Sequence, residues 1–332
     1  MQSIQEMRGA GIVMDVCAKV QPGENVLVAT DFRASHIAER IAAAARERDC
    51  DVTMTVMEPR KHNGNEPPAT VAAALKEAEV IFHVTYRSIT HTQAASEAKD
   101  ENTRWLSLIK FEPKDLVEGG LYADFEAMRP YCDEMAQKFS DADEAHITSP
   151  QGTDVTVDLR DRAGNSHSGI ADEPGTHTGL VHIEANVSPV PDGVNGHVVF
   201  DGAIPDLDIG ILEDPVEVDI EDGQVVDIEG GKEARRIERV WAEYDNPAVY
   251  QIAQLAVGMN PEVPDFTNGF SENHGRFGNV HFGIGTSIIL GGENTTPVHF
   301  DAMMGEATLA LDGEVVLDAG RTFPFIPDHV LE

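Results

Sequence analysis

The chain has 332 residues, enough for two modest domains or one large α/β domain, and 41% hydrophobic content supports ordinary packed cores. Against 58 acidic residues stand only 24 lysines and arginines, a formal net charge of −34. A surface this acidic repels nucleic acid and anionic membranes, which are excluded as partners.

The acidic residues run through the whole chain, with local peaks at Asp141–Glu144 and Asp214–Asp222. That distribution resembles proteins of salt-loving cytoplasms, where carboxylates hold water and salt screens their repulsion. Cys17, Cys50 and Cys132 are odd in number and far apart, and they predict reduced thiols in a cytoplasm. No apolar leader or membrane-length segment is seen, so a soluble cytoplasmic protein is expected.

In chain order, the first 150 residues alternate strand and helix. Glu24–Thr30 reads as a buried strand, Ser35–Arg48 as an amphipathic helix, Asp51–Met57 as a strand and Ala69–Ala78 as a helix. Glu79–Thr85 and Arg104–Ile109 are further strands with helical sequence between them, a pattern that predicts a mostly parallel sheet. Neither GxGxxG nor Walker A follows the first strand, so nothing there indicates a nucleotide. From about residue 145 short alternating runs take over: Thr153–Leu159, His197–Phe200, Val216–Ile220 and Val225–Ile228. A helical stretch is expected from Ala234 through Tyr244 to Ala256, and Asp312-Gly313 predicts a hairpin between 307–311 and 314–317. The expected architecture is an α/β N-terminal domain with a mostly parallel sheet (1–145), plus a β-rich α+β metal-binding domain (146–332).

The candidate chemistry lies near the end. In a strand, residues i and i+2 share a face, so His299 and Asp301 present an imidazole and a carboxylate together. The run Asn279–Gly285 also reads as a strand, and a turn near Gly291-Gly292 would bring His281 close to His299. Two histidines and a carboxylate suit a divalent transition metal; the alternative is a core histidine and a hydrogen-bonded strand residue. Glu184 is a carboxylate in an apolar stretch, and its alternative is an exposed strand face. Glu272 and His274 sit where an acid or base would assist, although loop solvation is the commoner fate of such residues. Gln254 is an amide near Gly258, with a surface role as its alternative.

These residues together resemble the aminopeptidase T and leucyl aminopeptidase family, which includes relatives similar to 2,5-dihydroxypyridine 5,6-dioxygenase. The likeness runs through Asn195–Gly202, Ala253–Pro261, Gly278–Gly285 and His299-Phe-Asp301. Carried over, the resemblance places family metal ligands at Glu184, His281, His299 and Asp301. The family's bridging glutamate falls on Gln254, and a tyrosine of some members falls on Ile288. A neutral amide attracts a second cation less than a carboxylate does, so the resemblance implies a single-metal or asymmetric site. Likeness to the dioxygenase shows in Ala171–Gly175, Asn246–Tyr250 and the approach to His299; there one iron histidine falls at position 254 and the position of His281 is apolar.

What the resemblance implies is a metal-dependent hydrolase acting on a small peptide, amide or amino-substituted ring, with zinc, manganese or cobalt. Glu272 is then the candidate base, Gln254 orients a ligand or water, and a homodimer is expected. The alternatives are a mononuclear iron(II) ring-cleaving dioxygenase using His281, His299 and Asp301, and a non-catalytic ligand-binding descendant.

Overall fold

The computed structural model describes residues 2–90, 92–100 and 103–331. Clustering of the backbone gives two compact units, residues 1–126 with 167–182, and residues 127–166 with 183–332. The boundary expected at 145/146 falls inside the second of these.

In the first unit, helix α1 (Gln2–Ile12) precedes strand β1 (Asn25–Asp31). Then follow α2 (Ser35–Arg46), β2 (Asp51–Met57), α3 (Ala69–Lys76), β3 (Val80–Thr85), α4 (Gln93–Asp100) and β4 (Arg104–Ile109). Helix α5 (Phe125–Asp141) leads into β5 (Glu144–Thr148), β6 (Asp154–Asp158) and β7 (Gly164–His167), and β8 (His177–Gly179) returns to the first unit. The sheet β2-β1-β3-β4-β8 is parallel throughout. Its central strands β3 and β4 are buried along their whole length, as a sheet covered on both faces requires. Helix α2 turns Ile37, Ala38, Ile41, Ala44 and Ala45 inward at helical spacing. Leu27, Val71, Leu75, Ile81 and Trp105 pack one core of this unit.

The second unit continues with β9 (Glu184–Val187), β10 (Val194–Phe200), β11 (Ala203–Ile204), β12 (Gly210–Ile211), β13 (Val216–Glu221) and β14 (Gln224–Gly230). Helix α6 (Lys232–Ala242) is followed by β15 (Ile252–Gly258), helix α7 (Phe270–Gly275), β16 (Val280–Gly285), β17 (His299–Met304), β18 (Thr308–Leu311), β19 (Glu314–Leu317) and helix α8 (Asp328–Leu331). Two larger sheets run β14-β13-β10-β6-β5-β18-β19 and β17-β16-β15-β9-β7, and β11 pairs with β12 in a small two-stranded sheet. The α/β region and the antiparallel β-rich region match the expected fold class.

The helix expected to run on to Ala256 is corrected. It stops at Ala242, and 252–258 is a fully buried strand. A strand buried on both faces loses its alternation, so Ile-Ala-Gln-Leu-Ala-Val reads equally well as helix from sequence. Two hairpins turn on the same chemistry, Asp222-Gly223 between β13 and β14 and Asp312-Gly313 between β18 and β19. All four residues have positive φ, as a primed turn demands.

Candidate active site

Four adjacent strands build the site. Antiparallel register sets Glu184 opposite Gly258, Asn186 and His281 on either side of Ala256, Gln254 opposite Gly283, and His299 opposite Gly285. Directly paired residues share a face, so Glu184, Asn186, Gln254, His281, His299 and Asp301 all lie on one side of the sheet. The positions between them are small. A Cβ on Gly283 would sit 2.8 and 2.9 Å from the His299 ring, and one on Gly258 would sit 2.6 Å from the His274 carbonyl. The glycines therefore leave room for the imidazole and for α7, whose His274 reaches the same face. The turn near Gly291-Gly292 does set the two strands side by side, with His281 across from Met303 and His299 across from Gly285.

Each histidine is anchored by Nδ1 and directs Nε2 inward. His281 donates to Asn279 Oδ1 at 2.8 Å, His274 to the Phe270 carbonyl at 2.9 Å, and His299 to the Thr286 carbonyl at 2.8 Å. Such partners fix the tautomer that leaves Nε2 for a ligand. Glu184 Oε1 accepts from Asn186 Nδ2 at 2.9 Å and from Gln254 Nε2 at 3.1 Å. Gln254 is thus buried and holds Glu184, not a surface amide. His274 Nε2 stands 3.1 Å from Asp301 Oδ2.

Three buried atoms at the centre take no hydrogen bond: Glu184 Oε2, His281 Nε2 and Asp301 Oδ1. His281 Nε2 faces Glu184 Oε2 at 3.4 Å, and His299 Nε2 faces Asp301 Oδ1 at 3.4 Å. With Nδ1 carrying its proton, neutral His281 and ionised Glu184 meet lone pair to lone pair. Leaving a buried acceptor unpaired costs about 1–3 kcal/mol, and a proton or cation between them relieves it.

Burial holds the His281 pKa down to about 3 and pushes Glu184 up to about 7. Burial also pulls on His274 and His299, but the Asp301 carboxylate outweighs it and leaves them at about 9 and about 8. Asp301 is itself held well below the usual carboxylate range: burial opposes its charge, and His299 and His274 overcome that opposition. At neutral pH the cluster contains a neutral imidazole, two imidazolium groups and an ionised aspartate, with Glu184 near its midpoint.

The structure therefore brings together Glu184, Gln254, His281, His299 and Asp301. Glu272 is turned elsewhere, its carboxylate accepting from Thr267 Oγ1 at 3.0 Å. Asn279 and Asn186 were not singled out by sequence, although each sits two residues from a cluster member and alternation was the available signal. The donors lie against one another: among the described residues, no three His, Cys, Asp or Glu side chains surround a common point as metal ligands would. A bound cation has to part them.

The family model described as NicX, 2,5-dihydroxypyridine 5,6-dioxygenase, matches residues 12–324. The chain belongs to this family. Its relative 2,5-dihydroxypyridine 5,6-dioxygenase from Pseudomonas putida (strain KT2440) is 25% identical over 258 residues, covering 74% of this chain and 71% of the relative. The solved structure of 2,5-dihydroxypyridine dioxygenase from Pseudomonas putida KT2440 superposes with a TM-score of 0.83 at 20% identity, over 99% of both chains. Wild-type AmpT from Thermus thermophilus superposes with a TM-score of 0.73 at 15% identity, over 96% of this chain and 98% of that one. At these identities both structures speak to the fold alone. The family membership overturns the expected aminopeptidase-type hydrolase. In physical terms, the amide of Gln254 is spent on Glu184, where a dinuclear hydrolase would need a second anion.

Proposed function

We propose that the chain is an iron(II)-dependent dioxygenase that opens a small hydroxylated, nitrogen-containing aromatic ring; the family's name supports the dioxygenase and the dihydroxypyridine, and the donor set supports the iron. The observation that carries this reading is the set of unpartnered buried acceptors at Glu184, His281 and Asp301, met by His299 Nε2. Two imidazoles and a carboxylate, His281, His299 and Asp301, are the donor set suited to non-haem iron(II), and Glu184 Oε2 faces His281 beside them. Iron(II) held there would supply the redox chemistry that lets dioxygen react with an electron-rich ring.

The protein's own residues prepare the site. Neutral His281 offers its lone pair at neutral pH, whereas His299 would have to give up a proton to act as a ligand. Asn186 and Gln254 fix Glu184, and Asn279 fixes His281. His274, protonated and hydrogen-bonded to Asp301, is the proton carrier in this reading; the sequence offered it beside Glu272 as an acid or base and set Glu272 first as the base.

Oxygen uptake by anaerobically purified, iron(II)-loaded protein tests the proposal. Stoichiometric uptake with 2,5-dihydroxypyridine and loss of the ring's ultraviolet absorbance are expected. Unchanged absorbance and no uptake across a panel of dihydroxypyridines would refute it. We read the acidic excess as adaptation to high salt, so the melting temperature should climb steadily as potassium chloride is added.

A further inference from the structure

A cavity of about 520 Å³ opens in the second unit, lined among others by Pro261, Asp265, Arg276, Phe277, Glu306 and Arg321. Its size falls in the range of small-molecule sites, and no side chain of the cluster described above lines it.

Of the four charged side chains, Asp265 and Arg321 are exposed, whereas Arg276 and Glu306 are half-buried. Its guanidinium lies over the Phe266 ring at 4.4 Å from the centroid and donates from Nη1 to the Phe277 carbonyl at 3.3 Å. Burial pulls its pKa below the usual guanidinium value, while Asp265, Asp201 and Glu306 favour its charge from a distance. Among the described residues no carboxylate pairs with it directly. Glu306 is taken by the exposed Arg321, at 2.6 Å from Nη2. Asp265 is exposed, so solvent screens its repulsion of an anion.

A half-buried guanidinium held by an aromatic face and one carbonyl, with no carboxylate of its own, is preset to take a planar oxyanion through its remaining N–H groups. Pro261 and Phe277 supply flat apolar wall beside it. We propose that this cavity binds a small aromatic carboxylate, the carboxylate on Arg276 and the ring against Phe277 and Pro261. No side chain of the proposed reaction centre lines this cavity, and the proposal does not depend on the reaction assigned there.

The test uses 4-bromobenzoate and its uncharged counterpart 4-bromobenzamide on the full chain. Calorimetric titration should show saturable one-to-one binding of the acid, with the amide weaker by about tenfold or more, the scale of one charge-assisted pair. Arg276→Gln should weaken the acid by a similar factor, and His299→Ala should leave its affinity unchanged. Because Arg276→Gln also removes the guanidinium packed over Phe266, crystals of the unaltered protein soaked in the acid give an independent reading: the bromine's anomalous signal should lie beside Phe277. Equal affinity for acid and amide overturns the proposal, as does loss of binding in His299→Ala. Bromine at His281 and Asp301 instead, or binding at crystal concentration only, also overturns it.

Discussion

Asn279 Oδ1 accepts the Nδ1 proton of His281 at 2.8 Å, and the same amide donates from Nδ2 to the carbonyls of Asn273, His274 and Arg276 at 2.9, 2.9 and 3.1 Å. Three carbonyl acceptors on Nδ2 leave only one way round for the amide, so Oδ1 must face the imidazole. One buried side chain thus sets the tautomer of His281 and the seat of the helix that carries His274. Asn279→Asp keeps an acceptor for His281 but loses every donor to α7. It should lower divalent-metal affinity roughly 10- to 100-fold, the usual cost of losing such an orienting partner. Metal titration in buffered chelator would show this, and unchanged affinity would leave Asn279 a purely structural residue.

Gly283→Ala tests the space itself. The added methyl would lie 2.8 Å from His299 Cε1 and 2.9 Å from Gln254 Cβ, closer than real contacts allow. The imidazole has to move, because strand pairing on both sides holds the backbone. Metal affinity should fall by about tenfold or more, with a stability loss of roughly 1–3 kcal/mol from overpacking. Circular-dichroism melts beside metal titration would separate the two effects.

Gln254→Glu places a second carboxylate against Glu184, where the amide now donates at 3.1 Å. Two anions without a proton or cation between them repel strongly in a buried site. The melting temperature in the presence of chelator should drop by several degrees, and excess manganese should restore it. A variant as stable as the parent in chelator would show that this amide is not what holds Glu184.

The cluster also predicts how metal-free stability varies with pH. His274 and His299 have folded pKa values raised to about 9 and about 8 from 6.5, so their contribution is complete below 6.5 and disappears as pH rises through those values. Glu184, raised to about 7 from 4.5 because burial favours its neutral form, loses its contribution earlier, between about pH 4.5 and 7. His281, lowered to about 3, and Asp301, lowered from its ordinary value, act the opposite way and lose their contributions on acidification. Stability without metal should therefore be nearly level between about pH 4.5 and 6.5, where the Glu184 loss offsets the His281 gain, and fall toward pH 9, by roughly 3 kcal/mol from His274 alone. A divalent cation should flatten the alkaline side, since deprotonated donors bind it. Chemical denaturation across pH with and without manganese would check both slopes.

Much of this site was legible because strands repeat every two residues. His299-Phe-Asp301 showed its shared face directly, and β16 and β17 do pair as the turn near Gly291-Gly292 suggested. The same rule applied to Asn279-Val-His281 and Glu184-Ala-Asn186 would have found the orienting amides, whose polarity in apolar runs looked like ordinary hydrogen bonding. His274 was named with Glu272 but could not be preferred to it, because α7 is a six-residue helix whose seat depends on Gly258 allowing carbonyls to approach the strand. Burial of Gln254 was hidden by the helical look of its strand. The reaction was not legible either: a donor set of histidine and carboxylate serves hydrolysis and oxygen chemistry alike, and it is family membership that favours the oxygen chemistry proposed here.

The most direct test of the central claim is to run the iron(II)-loaded protein with 2,5-dihydroxypyridine under isotope-labelled dioxygen and weigh the product. The account predicts that both oxygen atoms from one molecule of dioxygen appear in a ring-opened product, and that His299→Ala forms none. A product carrying oxygen only from water would contradict it and return the site to hydrolysis.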